Sequence, residues 1–298
     1  MDQSNRKYRR LWKKAFAIIM IASLVFGFDI PEAEAAFGSV GSLGTNFSTS
    51  AGTSLGIVTS AQLDAGNIGL MIIGFDNTGT TDADHSEVES VTDTAGNTYT
   101  KLREFTNGNG SAGAGATVSV WFTKASANLP ATGTATITFA NTITSKAATF
   151  WEFTVAAGNT IQVATGGATD LAEDADANPG AMTLSGLTSK EYLFVRATAI
   201  EARNNEMPAT ANYTEFTLAT ADTSNANTSM HADGEFRILT ATGDTSDPGD
   251  IGASRDHAHV YLALEEVAAG GGEEAPGTVI KVRLRGNVRL VGRLIRLR

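Results

Sequence analysis

The sequence predicts an all-β chain: an antiparallel two-sheet β-sandwich, jelly-roll-like, with an N-terminal signal helix ahead of it and a short basic, strand-forming tail behind. Three observations predict this. Threonine is abundant, at 38 of 298 residues; β-branched and aromatic residues gather in short runs; and Gly, Asn and Asp punctuate the gaps between them. No stretch beyond the N-terminal region sustains a 3.6-residue apolar stripe over three turns, so the body reads as strands and turns.

Arg6, Lys7, Arg9, Arg10, Lys13 and Lys14 form a basic cluster ahead of an apolar run over residues 15–28, and Ala33-Glu34-Ala35 offers the small-x-small pattern that signal peptidase accepts. A membrane-spanning helix needs ~20 apolar residues, more than this run supplies. Residues 1–35 therefore read as a signal peptide, with a retained N-terminal anchor as the alternative, the protein as secreted or held at the cell surface, and the membrane as a partner only during export. Strands are predicted over 68–76, 88–93, 98–105, 117–124, 134–139, 147–155, 181–184, 192–200, 213–219, 234–240 and 257–267. Turn signals separate nearly all of them, which suits a single β-sandwich domain over 37–267. Residues 268–277 (AAGGGEEAPG) have the composition of a flexible linker. Residues 278–298 form the tail, where Val282-Arg-Leu-Arg-Gly-Asn is nearly repeated by Val288-Arg-Leu-Val-Gly-Arg. Its apolar and basic residues alternate, as in an amphipathic strand whose apolar row wants a partner sheet while its cations stay wet.

Composition narrows the function classes. With 42% hydrophobic and 18% charged residues the chain can bury a core, and it is neither collagen, nor coiled coil, nor a multi-span membrane protein. It has no cysteine, so disulfides, thiolate metal sites and cysteine nucleophiles are all absent and an exported form holds itself together by burial alone. The net charge of −10 is unevenly spread: residues 277–298 carry +7 and the body ahead of them, from residue 36, carries −19. Such a body repels nucleic acid and anionic lipid. Only the tail could attract them, through Lys281, Arg283, Arg285, Arg289 and Arg293. Three readings of the tail stand: a disordered basic segment; an attachment device that pairs with a sheet edge or an anionic surface polymer; and, least favoured, a nucleic-acid arm.

The most characteristic motif is Val91-Thr-Asp-Thr-Ala-Gly-Asn-Thr-Tyr-Thr100. It reads as a hairpin in which the Asp93 side chain caps the turn and Gly96 and Asn97 tolerate positive φ. With the apolar strand 68–76 before it and Val118-Ser-Val-Trp-Phe-Thr after it, the segment resembles secreted bacterial β-sandwich surface modules that share an Asp-x-x-Gly-Asn-Thr-aromatic-Thr hairpin. The resemblance extends over residues 37–267. It implies an extracellular, adhesin-like module and brings no catalytic residues with it.

Period-two alternation assigns faces. Val118, Val120 and Phe122 share one face, which puts Trp121 on the other with Ser119 and Thr123. Leu193, Val195, Ala197 and Ala199 form a core row, leaving Tyr192, Phe194, Arg196 and Thr198 opposite. Ala258, Val260, Leu262 and Leu264 form another, turning His257, His259 and Tyr261 outward. If these strands share a sheet, Trp121, Tyr192, Arg196, His257, His259 and Tyr261 line one surface, an arrangement suited to stacking on a glycan. The alternative is that these side chains sit under loops or in a second core layer.

Metal readings are of two kinds. His257 and His259 emerge from one strand face at ligand spacing, but no third ligand is evident, and surface histidines are the plainer reading. Calcium needs only oxygens, and Asp174, Asp176 and Asn178 match the front of an oxygen-ligand loop, although Pro179 and Ser185 depart from an EF-hand. Residues 82–84 and 244–250 are further acidic loops; solvated acidic loops are the competing reading for all three. No nucleophile elbow, phosphate loop or His-Glu-x-x-His occurs, so no catalytic residues are assigned. Glu87, Glu89 and Glu152 leave a carboxylate pair for glycan hydrolysis as a second alternative. The favoured expectation is an exported protein for attachment or recognition, binding a surface glycan or polymer. The first alternative is a subunit of an extracellular filament or layer, a homo-oligomer built by strand addition through the tail.

Overall fold

The computed structural model describes residues 37–268 apart from 204, 224, 226 and 227. The predicted signal peptide over 1–35, the linker beyond Ala268 and the tail with Lys281, Arg283, Arg285, Arg289 and Arg293 lie outside the described residues. The described chain is all-β, its strands are paired antiparallel throughout, and it contains no helix long and apolar enough to cross a membrane.

The sandwich has an added layer. The strands are β1 (Gly38–Ser48), β2 (Gly52–Val58), β3 (Ile68–Asp76), β4 (Val88–Asp93), β5 (Tyr99–Thr106), β6 (Ala116–Lys124) and β7 (Thr134–Ile143), followed by β8 (Lys146–Thr154), β9 (Asn159–Asp176), β10 (Met182–Ile200), β11 (Thr214–Glu215), β12 (Ala219–Ala221), β13 (Met230–Ser246) and β14 (Arg255–Ala268). A five-stranded sheet, ordered β1-β8-β3-β6-β5, lies between a three-stranded sheet, β2-β7-β4, and a larger sheet, β11-β13-β10-β14-β9, to which β12 adds through β13.

Burial on both faces explains the middle sheet. Its central strand β3 reads Ile-Gly-Leu-Met-Ile-Ile-Gly-Phe, an uninterrupted apolar run of the sort that suits a strand with no wet side. Ile68, Leu70 and Ile72 pack with Val118, Val120, Leu193, Val195, Val260 and Leu262 in the core shared with the large sheet. Met71, Ile73 and Phe75 point the other way, into a core with Leu55, Ile57, Val91, Ile137 and Phe139 from the small sheet. Phe75 meets Phe139 edge to face at 5.1 Å. Gly74 is needed for close approach: a Cβ there would lie 2.5 Å from the His231 carbonyl oxygen of the facing sheet.

The Asp93 motif differs from a hairpin. β4 pairs with β7 in the small sheet, whereas β5 pairs with β6 in the middle sheet, so the turn carries the chain from one layer to the next. Its residues are used as expected for a tight corner. Asp93 accepts the Ala95 and Asn97 amides at 2.9 and 3.0 Å, the Asn97 side chain at 2.9 Å and the Tyr99 hydroxyl at 3.0 Å, and Gly96 adopts φ +78°. Asn97 Oδ1 then accepts the Ser126 and Ala127 amides, pinning the corner to a neighbouring loop.

Candidate functional site

The side chains expected on an open face are enclosed. Trp121 stands opposite Val118 and Val120, as alternation requires, but the small sheet covers that side: the indole is 7% exposed, and its N–H donates to Ser119 Oγ at 2.9 Å. It belongs to a different sheet from the other five residues.

Tyr192, Arg196, His257, His259 and Tyr261 do share a surface. β10 and β14 pair with Arg196 opposite Tyr261 and Thr198 opposite His259, so their non-core rows fall on one face of the large sheet. That face is closed as well, and all five residues are buried. The reason lies in the strands. β10 shifts register against β13 between Ser185 and Lys190, and its first half brings Met182, Leu184 and Leu187 onto Tyr192, Phe194, Tyr261 and Ala263. The rings form a second core layer, with Phe194 stacked on Tyr261 and the Tyr261 hydroxyl in a hydrogen bond with Tyr213. Farther along the same face Ile200, Ala202, Met207 and Ile251 form a small apolar cluster.

Between these apolar zones lies a polar stratum. His257 Nδ1 and His259 Nε2 are 2.5 Å apart, and Glu173 Oε2 from β9 lies 3.2 Å from the first and 3.4 Å from the second. The β9–β14 register sets this up by placing Glu173 opposite His257. Glu173 is oriented by the Gly180 amide, which reaches both carboxylate oxygens at 3.0 and 3.1 Å. His259 Nδ1 is 2.8 Å from Thr198 Oγ1 and 3.4 Å from Arg196 Nε, while Arg196 Nη1 donates to the Gly180 carbonyl at 2.9 Å. His257 Nε2 and Arg196 Nη2 are buried without a hydrogen-bond partner among the described residues.

Burial governs the protonation of this stratum. It lowers His257 to about 4 and holds His259 well below the ordinary imidazole range, with the Arg196 charge pushing both the same way. Both rings are therefore neutral at pH 7, with lone pairs available. Burial also lowers Arg196, to about 10, against the attraction of Glu235 and Glu173. Desolvation raises Glu173.

Among the described residues, Glu173, His257 and His259 form the one group of three or more His, Asp or Glu whose donor atoms converge closely enough to hold a metal ion. Asp174, Asp176 and Asn178 are exposed and not gathered in this way; Asp176 instead accepts the Asn178 amide at 2.9 Å, closing a local turn. The other acidic loops are engaged by the protein's own donors. Asp82 accepts the Gly108 amide, Asp84 pairs with Lys101, and Asp244 accepts Tyr213. Glu87 binds Thr78 and Asn141, and Glu152 binds the Asp64 amide and Asn67. Glu173 escapes sequence reading because β9 carries Gly-Gly and a run of acids that resemble a loop. The signal that could have found it is its position just ahead of Asp174, where alternation from His257 needs a strand partner.

No protein family, curated protein or solved structure matches this chain.

Proposed function

We propose that the protein is an exported attachment protein that assembles at the cell surface by strand addition, the acceptor being the β1–β2 corner and the donor the C-terminal tail of a second copy. One observation carries this reading. Among the described residues the exposed large hydrophobics are Val40, Phe47 and Val58, at 56%, 53% and 60%, and all lie on β1 and β2. These strands end the middle and small sheets and run beside each other, with the Ser60 amide bound to the Leu43 carbonyl at 2.7 Å and the Asn46 side chain to the Gly56 carbonyl.

Edge strands ordinarily protect themselves with charge. β5 does so with Lys101 and Arg103, paired to Asp84 and Asp170, and β9 with Asp170, Glu173, Asp174 and Asp176. No charged residue occurs between Phe37 and Leu63. The tail supplies a matching partner, since Val282, Leu284, Val288 and Leu290 alternate with Arg283, Arg285 and Arg289, and its +7 is drawn at long range to a body of −19. Ala268 pairs with Asn159, and Thr154, at the end of β8 just ahead of β9, pairs with Gly38, so the last described strand ends on the side of the body where β1 begins.

The expected glycan-binding face, the favoured reading of the sequence, loses its support with the enclosure of Trp121, Tyr192 and Tyr261, and strand addition, the first alternative, takes its place. Sedimentation velocity over a concentration series tests the proposal. The chain is expected to form oligomers that vanish on deletion of residues 277–298 and, separately, in the Val40→Lys/Phe47→Lys variant. A chain that stays monomeric throughout, or oligomers that persist in both variants, would refute it.

A further inference from the structure

We infer that Glu173, His257 and His259 form a buried site for one divalent transition-metal ion, zinc(II) being the best fit, that clamps β9 to β14. Donor geometry carries the inference. Atoms bound at ~2.0–2.1 Å around a tetrahedral zinc ion lie ~3.3–3.4 Å from each other. Glu173 Oε2 stands 3.2 Å from His257 Nδ1 and 3.4 Å from His259 Nε2, close to the edges of that tetrahedron. The two imidazole nitrogens, at 2.5 Å, are nearer than an ordinary N–H···N hydrogen bond allows, so the pair is poorly described as a simple hydrogen bond. An ion between them would open the gap by less than about 1 Å.

The surroundings fit a cation. Two of the three donors have an orienting partner of the kind that holds metal ligands in place, Gly180 N–H for Glu173 and Thr198 Oγ1 for His259 Nδ1, while His257 Nε2 has none among the described residues. Arg196 is the opposing charge, and it is outnumbered by Glu173, Glu235, Asp176 and Asp247, which act electrostatically on Arg196 or His257. Two imidazoles and one carboxylate favour zinc or a neighbouring transition ion over calcium, which prefers oxygens alone. Three protein ligands leave a fourth position, and Glu173, with its side chain 14% exposed, marks the side from which solvent reaches it. The consequence is structural. An ion bound here ties the end of β9 and the 176–180 loop to the start of β14, a cross-link in a chain that has no cysteine.

The test uses the full chain, purified after export from an expression host and stripped with chelator, with zinc chloride as the probe. Equilibrium dialysis read by elemental analysis is expected to give one zinc per chain. Melting temperature should rise by about 5–10 °C at a free zinc concentration a hundredfold above Kd. Cobalt(II) in place of zinc should give visible d–d bands of a low-coordinate site. Glu173→Gln, which keeps an oxygen for Gly180 and is expected to fold, should weaken zinc affinity at least tenfold, as should His259→Gln. Deleting residues 277–298 should leave zinc binding unchanged, which separates this inference from the assembly reading. Absence of zinc uptake by the parent chain, or undiminished uptake by Glu173→Gln, would overturn it.

Discussion

Replacing Trp121 distinguishes an enclosed indole from one that faces a ligand. The ring is 7% exposed within the core shared by the middle and small sheets, in the company of Met71, Phe150 and Ile137, and its N–H is bound to Ser119. A buried aromatic side chain covers ~150–250 Å², worth about 4–6 kcal/mol at ~25 cal/mol per Å² as an upper bound. Measured truncations of buried Phe and Trp cost about 3–5 kcal/mol, because part of the cavity persists. Trp121→Ala should therefore destabilise the protein by about 3–5 kcal/mol, a large share of the ~5–15 kcal/mol typical of a folded domain. Trp121→Phe retains most of the apolar surface but loses the bond to Ser119, so its cost should be about 1–2 kcal/mol. Urea unfolding followed by tryptophan-independent circular dichroism gives both numbers, provided the m-value is unchanged. A loss below about 1 kcal/mol for Trp121→Ala would place the indole at the surface and contradict the three-layer packing.

Three other perturbations probe separate layers. Glu104, fully buried on β5, accepts the Glu87 and Val88 amides at 2.6 and 3.2 Å across to the small sheet; Glu104→Ala strands both donors and should cost about 2–4 kcal/mol in the same unfolding assay. Gly74→Ala drives a methyl against the His231 carbonyl and Ala199, so forcing the middle and large sheets apart should lower stability by about 1–3 kcal/mol, read as a lower melting temperature. Asp233 accepts the Met207 and Gly234 amides, and burial pushes its pKa from 3.8 to about 7. Because the folded state holds that proton more tightly than the unfolded chain, the stabilisation is full below pH ~4 and is lost as pH rises through 7. Asp233→Asn should therefore flatten the fall in stability between pH 5 and 7, by up to ~1.4 kcal/mol per pH unit, and identical slopes in the two proteins would contradict the assignment.

Much of the architecture was legible because it is local. The apolar run of β3 and the limits of β4 were readable residue by residue, and alternation placed Val118, Leu193 and Val260 on core rows. The third sheet was not readable. Alternation says which side of a strand Trp121 occupies but carries no information about what covers that side, and a Trp-bearing row with Ser119 and Thr123 looks wet until β2, β4 and β7 are laid over it. β1 escapes sequence reading because Gly38, Gly41 and Gly44 break the pattern, and its two register shifts against β8 accommodate the break. The Asp93 corner shows both sides at once: its side-chain bonds follow from the motif, while the change of sheet depends on β7, far along the chain. At the candidate site, the shared face of His257 and His259 came from alternation. Glu173 came only from the pairing of β9 with β14, a contact distant in sequence.

In the proposed assembly the exposed corner of one copy receives the tail of another, a contact that photo-crosslinking reads. A photoreactive phenylalanine analogue at position 47 in one isotopically labelled copy, mixed with an unlabelled copy and irradiated, gives crosslinks that mass spectrometry can map. The expected product joins position 47 to residues 278–298 of the differently labelled copy. Crosslinks confined to the same copy, or absent from those residues, would contradict assembly through the tail.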